Sequence, residues 1–266
     1  MYWQKRFNDE DPDAELLQKI QKIRETHKDY GYRRMHGELR KQGLIVNRKR
    51  IHRIFKKYGL QITSYTRKSR RFSTYKGVVG RIAPNRVNRR FRTCIPHQKI
   101  TTDTSEFKYY EADDKGRISI RKLYLDPFMD MWNLEILSYG ISKKPSANSI
   151  MAALNEAIEA TNDCKYRRTF HSDRGWAYQM AVYRYELKKN RIFQSMSRKG
   201  NCYDNSPMEN FFGIMKQEMY YGHVYNSFEE LKDAIDKYIC YYNEKRGKAS
   251  LGYRSPIEYR NEMLSA

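Results

Sequence analysis

Three carboxylates carry the chemical interest of this sequence. Asp103 stands in KITTDTSEF, within or just after a strand-like run. Asp173 stands in FHSDRG, immediately after a short strand-like run, and Glu209 stands in GNCYDNSPMENFF, in the first turn of a helix. Carboxylates at the ends of central strands and on a neighbouring helix can converge on one edge of a sheet. Such a set offers the hard oxygen ligands that Mg²⁺ requires. Two such ions can activate the attacking oxygen and stabilise the leaving oxygen of a phosphodiester. Each residue also has a plain structural reading. Asp103 can end a strand in a turn, and Asp173 before Arg174 and Gly175 can make an Asx-turn. Ser206-Pro207-Met208-Glu209 has the form of a capping box with proline at the first helical position. Taken singly, each is read more simply as structure; their joint setting is what points to chemistry.

These residues need a scaffold, and from residue 100 onward the pattern is α/β. Residues 99–110, 117–125 and 135–141 read as strands. Residues 148–160 form an amphipathic helix with Ile150, Met151, Leu154 and Ile158 on one side. Residues 167–172 are a short strand, 181–190 a helix, 192–196 extended, and 207–220 and 228–243 helices. Strands first, then alternating helix and strand, predict one mixed sheet flanked by helices over residues 100–266.

Residues 1–60 predict a small all-α domain with three helices over 11–60. Asp13 is a candidate cap for the first, whose apolar stripe is Leu16, Leu17, Ile20 and Ile23. The second covers residues 32–42, with Met35 and Leu39 facing inward and Gly43 as its stop. Asn47 is a good N-cap for the third. There Ile51, Ile54, Phe55 and Tyr58 fall at i, i+3, i+4 and i+7. Arg48, Lys49, Arg50, Arg53, Lys56 and Lys57 decorate the opposite face. A short turn followed by a strongly basic helix is the pattern of a helix-turn-helix DNA reader; the basic solvated face of an ordinary helical bundle has the same look. Between residues 61 and 99 there are eleven basic residues and no acidic one. Phe72, Tyr75 and Phe91 are interleaved, and Gly77, Gly80, Pro84 and Pro96 argue against one long helix. This reads as a basic linker whose Arg67, Lys68, Arg70, Arg71, Arg89 and Arg90 follow phosphates rather than read bases.

Composition agrees. At 266 residues the chain can hold one sizeable domain and a small one. Its 52 Lys and Arg against 31 Asp and Glu give a net charge of +21, a long-range attraction to polyanions. There is no long apolar run, and residues 1–10 have no apolar core, so neither a membrane span nor a signal peptide is expected. Cys94, Cys164, Cys202 and Cys240 lie far apart and the histidines do not pair at ligand spacing. This fits a reduced, cytoplasmic protein without structural zinc.

Five stretches carry a family likeness when taken together. They are YGYRRMHGELRKQGLIVNRKRIHRIFKKYGL, TDTSEF, HSDRGWAY, SMSRKGNCYDNSPMENFFGIMKQE and YNEKRGKASLGYRSPIEY. Over nearly its whole length the chain resembles the catalytic OrfB product of a large family of bacterial insertion-sequence transposases. Their RNase H-like core is similar to that of retroviral integrases. The resemblance implies that Asp103, Asp173 and Glu209 are the catalytic metal ligands of a D-D-35-E triad; thirty-five residues separate the last two. Lys216 follows Glu209 by seven residues, where the family usually has a basic residue. Two helical turns would put it on the same face, within reach of a DNA phosphate, although an ordinary exposed lysine has the same spacing. Ser105 stands where threonine is more usual, and residues 247–250 replace a more polar stretch.

The resemblance further implies two Mg²⁺ or Mn²⁺ ions and double-stranded DNA, both element ends and target, as substrate. It implies a homo-oligomer in the synaptic complex, a nucleoid-associated cytoplasmic location and no membrane partner. The chain is expected to act alone or as the catalytic half of a longer frameshift product with an upstream OrfA part. The expected reaction nicks a strand at the element end, and the freed 3′-OH then attacks another phosphodiester without a covalent enzyme intermediate. Two other readings compete: a transposase-derived DNA-binding repressor without catalysis, and an RNase H-like nuclease with water as its only nucleophile.

Overall fold

The computed structural model describes residues 11–62, 80–112 and 116–265. Arg67, Lys68, Arg70, Arg71, Phe72, Tyr75 and Gly77 lie outside the described residues. In the N-terminal part, α1 (Ala14–Thr26), α2 (Tyr32–Lys41) and α3 (Arg48–Lys57) bury one apolar stripe each. Ile20, Met35, Leu39, Ile51 and Ile54 meet there without exposure, and Tyr30 closes the cluster. Asn47 caps α3 as expected, its Oδ1 accepting from the Lys49 amide at 2.8 Å. Asp13 does not cap α1 with its side chain. It is buried, and its two oxygens accept from Arg50 Nε at 2.8 Å and Arg53 Nη2 at 2.7 Å. A buried carboxylate needs such partners more than a helix end needs a side-chain cap. Tyr58 also departs from the expected stripe. It is 36% exposed, and its hydroxyl, with Lys57, turns to Asp11.

The sheet is built from β1 (Lys99–Thr102), β2 (Ser105–Ala112), β3 (Ile118–Asp130), β4 (Ile136–Ser142), β5 (Thr169–Ser172) and β6 (Phe193–Met196). The order is β2-β3-β1-β5-β6, with β4 on the other edge of β3. β1 and β2 lie along β3 in one register, Thr102 opposite Phe128 and Ser105 opposite Leu125. They are one strand, as the sequence predicts for residues 99–110, whose pairing lapses only at Asp103 and Thr104. β5 and β6 add in parallel on the other side of β1.

Helices cover both faces. On one, α4 (Ala147–Ala160) and α5 (Ala181–Lys189) pack Ile150, Leu154, Ala157, Tyr183 and Leu187 onto Ile100, Phe128, Phe170 and Met196. On the other, α6 (Ser206–Met215) and α7 (Phe228–Glu244) pack Phe211, Met215, Leu231, Ile235 and Tyr242 onto Phe107, Leu123, Leu125 and Met129. Large side chains from both sides leave this sheet dry, which is why the second half of β3 reads as a near-continuous apolar run.

Two further contacts tie the chain together. Residues 80–92 run over the sheet end rather than apart from it. Ala83 donates to Met196 Sδ at 3.4 Å, and Arg86 donates to Ser195 Oγ at 2.9 Å. Arg89 reaches the buried Asp204 at 3.0 Å. The helical domain docks on α7 and the segment after it. The Gly247 amide donates to Tyr30 Oη at 2.7 Å, and Arg246 and Arg34 converge on Glu218 at 2.7 Å and 3.2 Å. Helix α8 (Pro256–Ser265) ends the fold, with Lys41 of α2 paired to its Glu258 at 2.6 Å.

Candidate active site

The pairing of β1 with β5 sets the first two carboxylates side by side. Ile100 stands opposite Phe170 and Thr101 opposite His171. Carrying that parallel register two residues on brings Asp103 opposite Asp173, each just past the carboxyl end of its strand. Both side chains are half-buried. Asp103 Oδ1 accepts from the Thr104 amide at 2.8 Å, and Asp173 Oδ1 accepts from the Gly175 amide at 2.7 Å. The Asx-turn expected at Asp173 therefore forms, and it orients the carboxylate while leaving its second oxygen available. Among the described residues nothing donates to that oxygen in either aspartate.

Glu209 enters from α6. The capping box that would have occupied it does not form: Ser206 is already helical, and Asn205 precedes the helix without a side-chain cap. Glu209 is exposed and, among the described residues, has no hydrogen-bond partner. Its charge reaches Asp103 nonetheless. Burial raises the Asp103 carboxyl well above the ordinary carboxylate range, and the charges of Asp173, Glu209 and Asp126 add to it against the Thr104 amide. Burial also raises Asp173, opposed by the Gly175 amide, and raises Glu209. Negative charges gathered with few donors form a site that a cation would relieve. Among the described residues no three His, Cys, Asp or Glu side chains are drawn close enough to enclose a metal ion. The donor chemistry suits a hard divalent ion, and Glu209 is the most exposed of the three.

Two residues that meet the threonines on either side of Asp103 went unnoticed in the sequence. Asp126, in the middle of β3, is buried and accepts from Thr104 Oγ1 at 2.6 Å; burial pushes its carboxyl up to about 6 against that hydrogen bond. Tyr178, fully enclosed, brings its hydroxyl within 3.4 Å of both Thr102 Oγ1 and Thr104 Oγ1. A lone aspartate in the apolar run LYLDPFM was the available signal for the first.

Lys216 is the residue after α6, where the helix widens into a π-turn (Lys216–Tyr220). Its Nζ lies 4.9 Å from the centre of the Phe107 ring. Burial lowers its proton affinity, while the Glu106 and Asp103 carboxylates support its charge. It is thus half-buried against Phe107, rather than an ordinary exposed lysine. The expected DNA contacts divide. Arg50 and Arg53 are held by Asp13, and Arg89 by Asp204 and Asn201. Arg48, Lys49, Lys56 and Arg90 are exposed, and among the described residues their side chains make no hydrogen bond or ion pair.

Family models match both parts of the chain. An HTH-like domain model matches residues 11–69, and integrase core domain models match residues 95–202 and 209–264. The chain is 38% identical to the putative transposase InsK for insertion sequence element IS150 of Escherichia coli K12, over 98% of this chain and 88% of that protein. It is 40% identical to an uncharacterized transposase-like protein of Haemophilus influenzae, over 85% of this chain and 98% of that one. Among solved structures, the HTLV-2 integrase catalytic core domain in complex with magnesium aligns with 63% of this chain and 99% of its own. That alignment has a TM-score of 0.47 at 17% identity.

Proposed function

This chain belongs to the insertion-sequence transposases with an integrase core, and from that premise we propose that Asp103, Asp173 and Glu209 are the carboxylates at which it cuts and joins DNA. The observation that supports this best is the parallel β1–β5 register, which sets two aspartates side by side where Asp103 also feels the charge of Glu209. The three carboxylates would hold divalent ions, Mg²⁺ or Mn²⁺. When bound, such ions supply charge neutralisation and activation of the attacking oxygen. The protein's own part is positional. The Asx-turn at Asp173 and the Thr104 amide at Asp103 fix one oxygen of each carboxylate and leave the other to an ion. Lys216, braced on Phe107, neutralises a phosphate of the strand entering beside them.

The element end is nicked first. Its 3′-OH then attacks the phosphorus of a second phosphodiester, and a new P–O bond forms as the bond to that strand's own 3′-oxygen breaks and that oxygen leaves as a 3′-OH; no residue needs to carry a covalent intermediate. The helical domain over residues 1–60 recognises the element end, with Lys49 and Lys56 as the phosphate-facing cations of α3. Residues 61–99 form the basic connection, and residues 100–266 hold the catalytic core. The chain works as a homo-oligomer that pairs two ends, at the nucleoid, alone or with an OrfA product; among the described residues no helix is long and apolar enough to cross a membrane.

The test uses labelled element-end duplex with Mg²⁺ or Mn²⁺, resolving nicked from joined products. Asp103→Asn, Asp173→Asn and Glu209→Gln should each lose both products while binding the duplex as wild type does. Near-normal cleavage by any one of them would remove it from the site. Joined products separate this reading from a nuclease and from a repressor.

A further inference from the structure

Glu209 stands on a different element from the two aspartates, so its helix must be fixed against their strands by something other than backbone pairing. The two residues before α6 do this. Asn205 is 3% exposed. Its Oδ1 accepts from Thr101 Oγ1 at 2.5 Å, and its Nδ2 donates to the Thr102 carbonyl at 3.1 Å. Thr101 and Thr102 are the last two residues of β1, directly before Asp103. The preceding residue, Asp204, offers its backbone carbonyl to His171 Nε2 at 2.8 Å, and His171 lies two residues before Asp173 on β5. A carbonyl only accepts, so Nε2 carries the proton and Nδ1 accepts from Ser195 Oγ at 2.9 Å. Two consecutive residues thus grip both aspartate-bearing strands.

The carboxylate of Asp204 holds the turn from the other side. It takes the Arg198 amide and guanidinium at 2.8–2.9 Å, Arg89 at 3.0 Å and Asn85 at 3.0 Å. From Asn205 to Glu209 is four residues, about one turn and roughly 6 Å of helix. That is too short a lever to absorb an error at its root.

We infer that Asn205 is a positioning residue for strand cleavage and joining: its carboxamide sets where the glutamate helix stands relative to the strands of Asp103 and Asp173. The inference rests on the assignment of those three carboxylates made above. Only an amide serves, because one atom must accept from a hydroxyl while the other donates to a carbonyl. An aspartate of the same size would set an oxygen against the Thr102 carbonyl.

The test compares Asn205→Ala with Asn243→Ala in the full chain. Asn243 makes a like pair of bonds away from the site, accepting from the Ile136 amide at 3.0 Å and donating to its carbonyl at 2.9 Å. Thermal melting, binding of end duplex, Mn²⁺ affinity by calorimetry, and nicking and joining are measured on each, with Glu209→Gln in parallel. Removing a group that orients a ligand typically costs about 10–100-fold in metal affinity or activity. Asn205→Ala should show that loss in both Mn²⁺ affinity and cleavage at temperatures well below its melting point, with duplex binding retained. Asn205→Asp should not restore either. Asn243→Ala should lose melting temperature only. Thr101→Val, which keeps the strand's branched side chain and deletes the hydroxyl, should move Mn²⁺ affinity and cleavage in the same direction should Asn205→Ala fail to fold. Full cleavage by Glu209→Gln would overturn the carboxylate assignment itself. An inactive Glu209→Gln beside an Asn205→Ala that matches Asn243→Ala, or a fully active Asn205→Asp or Thr101→Val, would overturn the positioning role alone.

Discussion

Replacing Gly175 by alanine should separate catalysis from stability. The added methyl carbon would stand 2.9 Å from Asp173 Oδ1, and 3.3 and 3.4 Å from Cδ2 and Cε2 of Tyr178. Non-bonded heavy atoms prefer about 3.5 Å or more, so either the carboxylate or the turn must retreat by about half an ångström. Gly175 is not in the left-handed region, so alanine is allowed there. Its smaller unfolded-state entropy contributes about 0.4–1 kcal/mol of stability. The shifted group is the end of a side chain, which moves at little cost to the fold. It is also the oxygen of the Asx-turn that directs Asp173. A 1 Å misplacement of a reacting group can cost about 100-fold, so half of that should cost about tenfold in the rate of end cleavage. The assay pairs thermal melting with nicking of labelled end duplex in Mg²⁺. Cleavage about tenfold slower at an unchanged or slightly raised melting temperature is the expected result. Wild-type cleavage, or a loss that follows a lowered melting temperature, would refute the claim that this turn orients the aspartate.

Other outcomes follow from the same geometry. Burial raises the Asp126 carboxyl from 3.8 to about 6. The stability tied to its neutral form is therefore full below about 4 and lost as pH rises through about 6, a difference of roughly 3 kcal/mol. Asp126→Asn should flatten the pH dependence of metal-free urea unfolding between about pH 4 and 6.5; an unchanged slope would deny that burial sets it. Lys216→Ala should slow cleavage while keeping metal affinity, and Lys216→Arg should restore part of the rate because a phosphate contact needs a cation; full activity of the alanine variant would leave this lysine a stacking partner of Phe107. Lys49→Ala with Lys56→Ala should weaken end binding and lower the log–log salt slope by about 0.9 per lost contact. Arg50→Ala, which frees a buried carboxylate oxygen of Asp13, should lower melting temperature more than affinity; equal loss of affinity by both would refute the division of α3 into two flanks.

Much of the molecule was legible in order along the chain. Apolar spacing placed the three N-terminal helices, α4, and the strands that carry Asp103 and Asp173, because burial of one face per helix and two faces per strand is written locally. The motif strings named the three carboxylates as candidates, and Asn47 and the Asx-turn at Asp173 were local chemistry read correctly. What failed were local readings that a distant partner overruled. Asp13 looked like a cap, yet two arginines thirty-seven and forty residues away claim it. Ser206 looked like a cap, yet the helix begins at it because Asn205 before it is engaged with β1. Arg89, read only as a phosphate contact, also closes on Asp204, 115 residues on, which the sequence did not announce. Asp126 gave no sign beyond its apolar company. Side-chain periodicity and short turns depend on neighbours within a few residues, and the sequence states them. Which buried donor meets which buried acceptor depends on the register of β1 against β5 and the seat of α6, and only the packed sheet decides that.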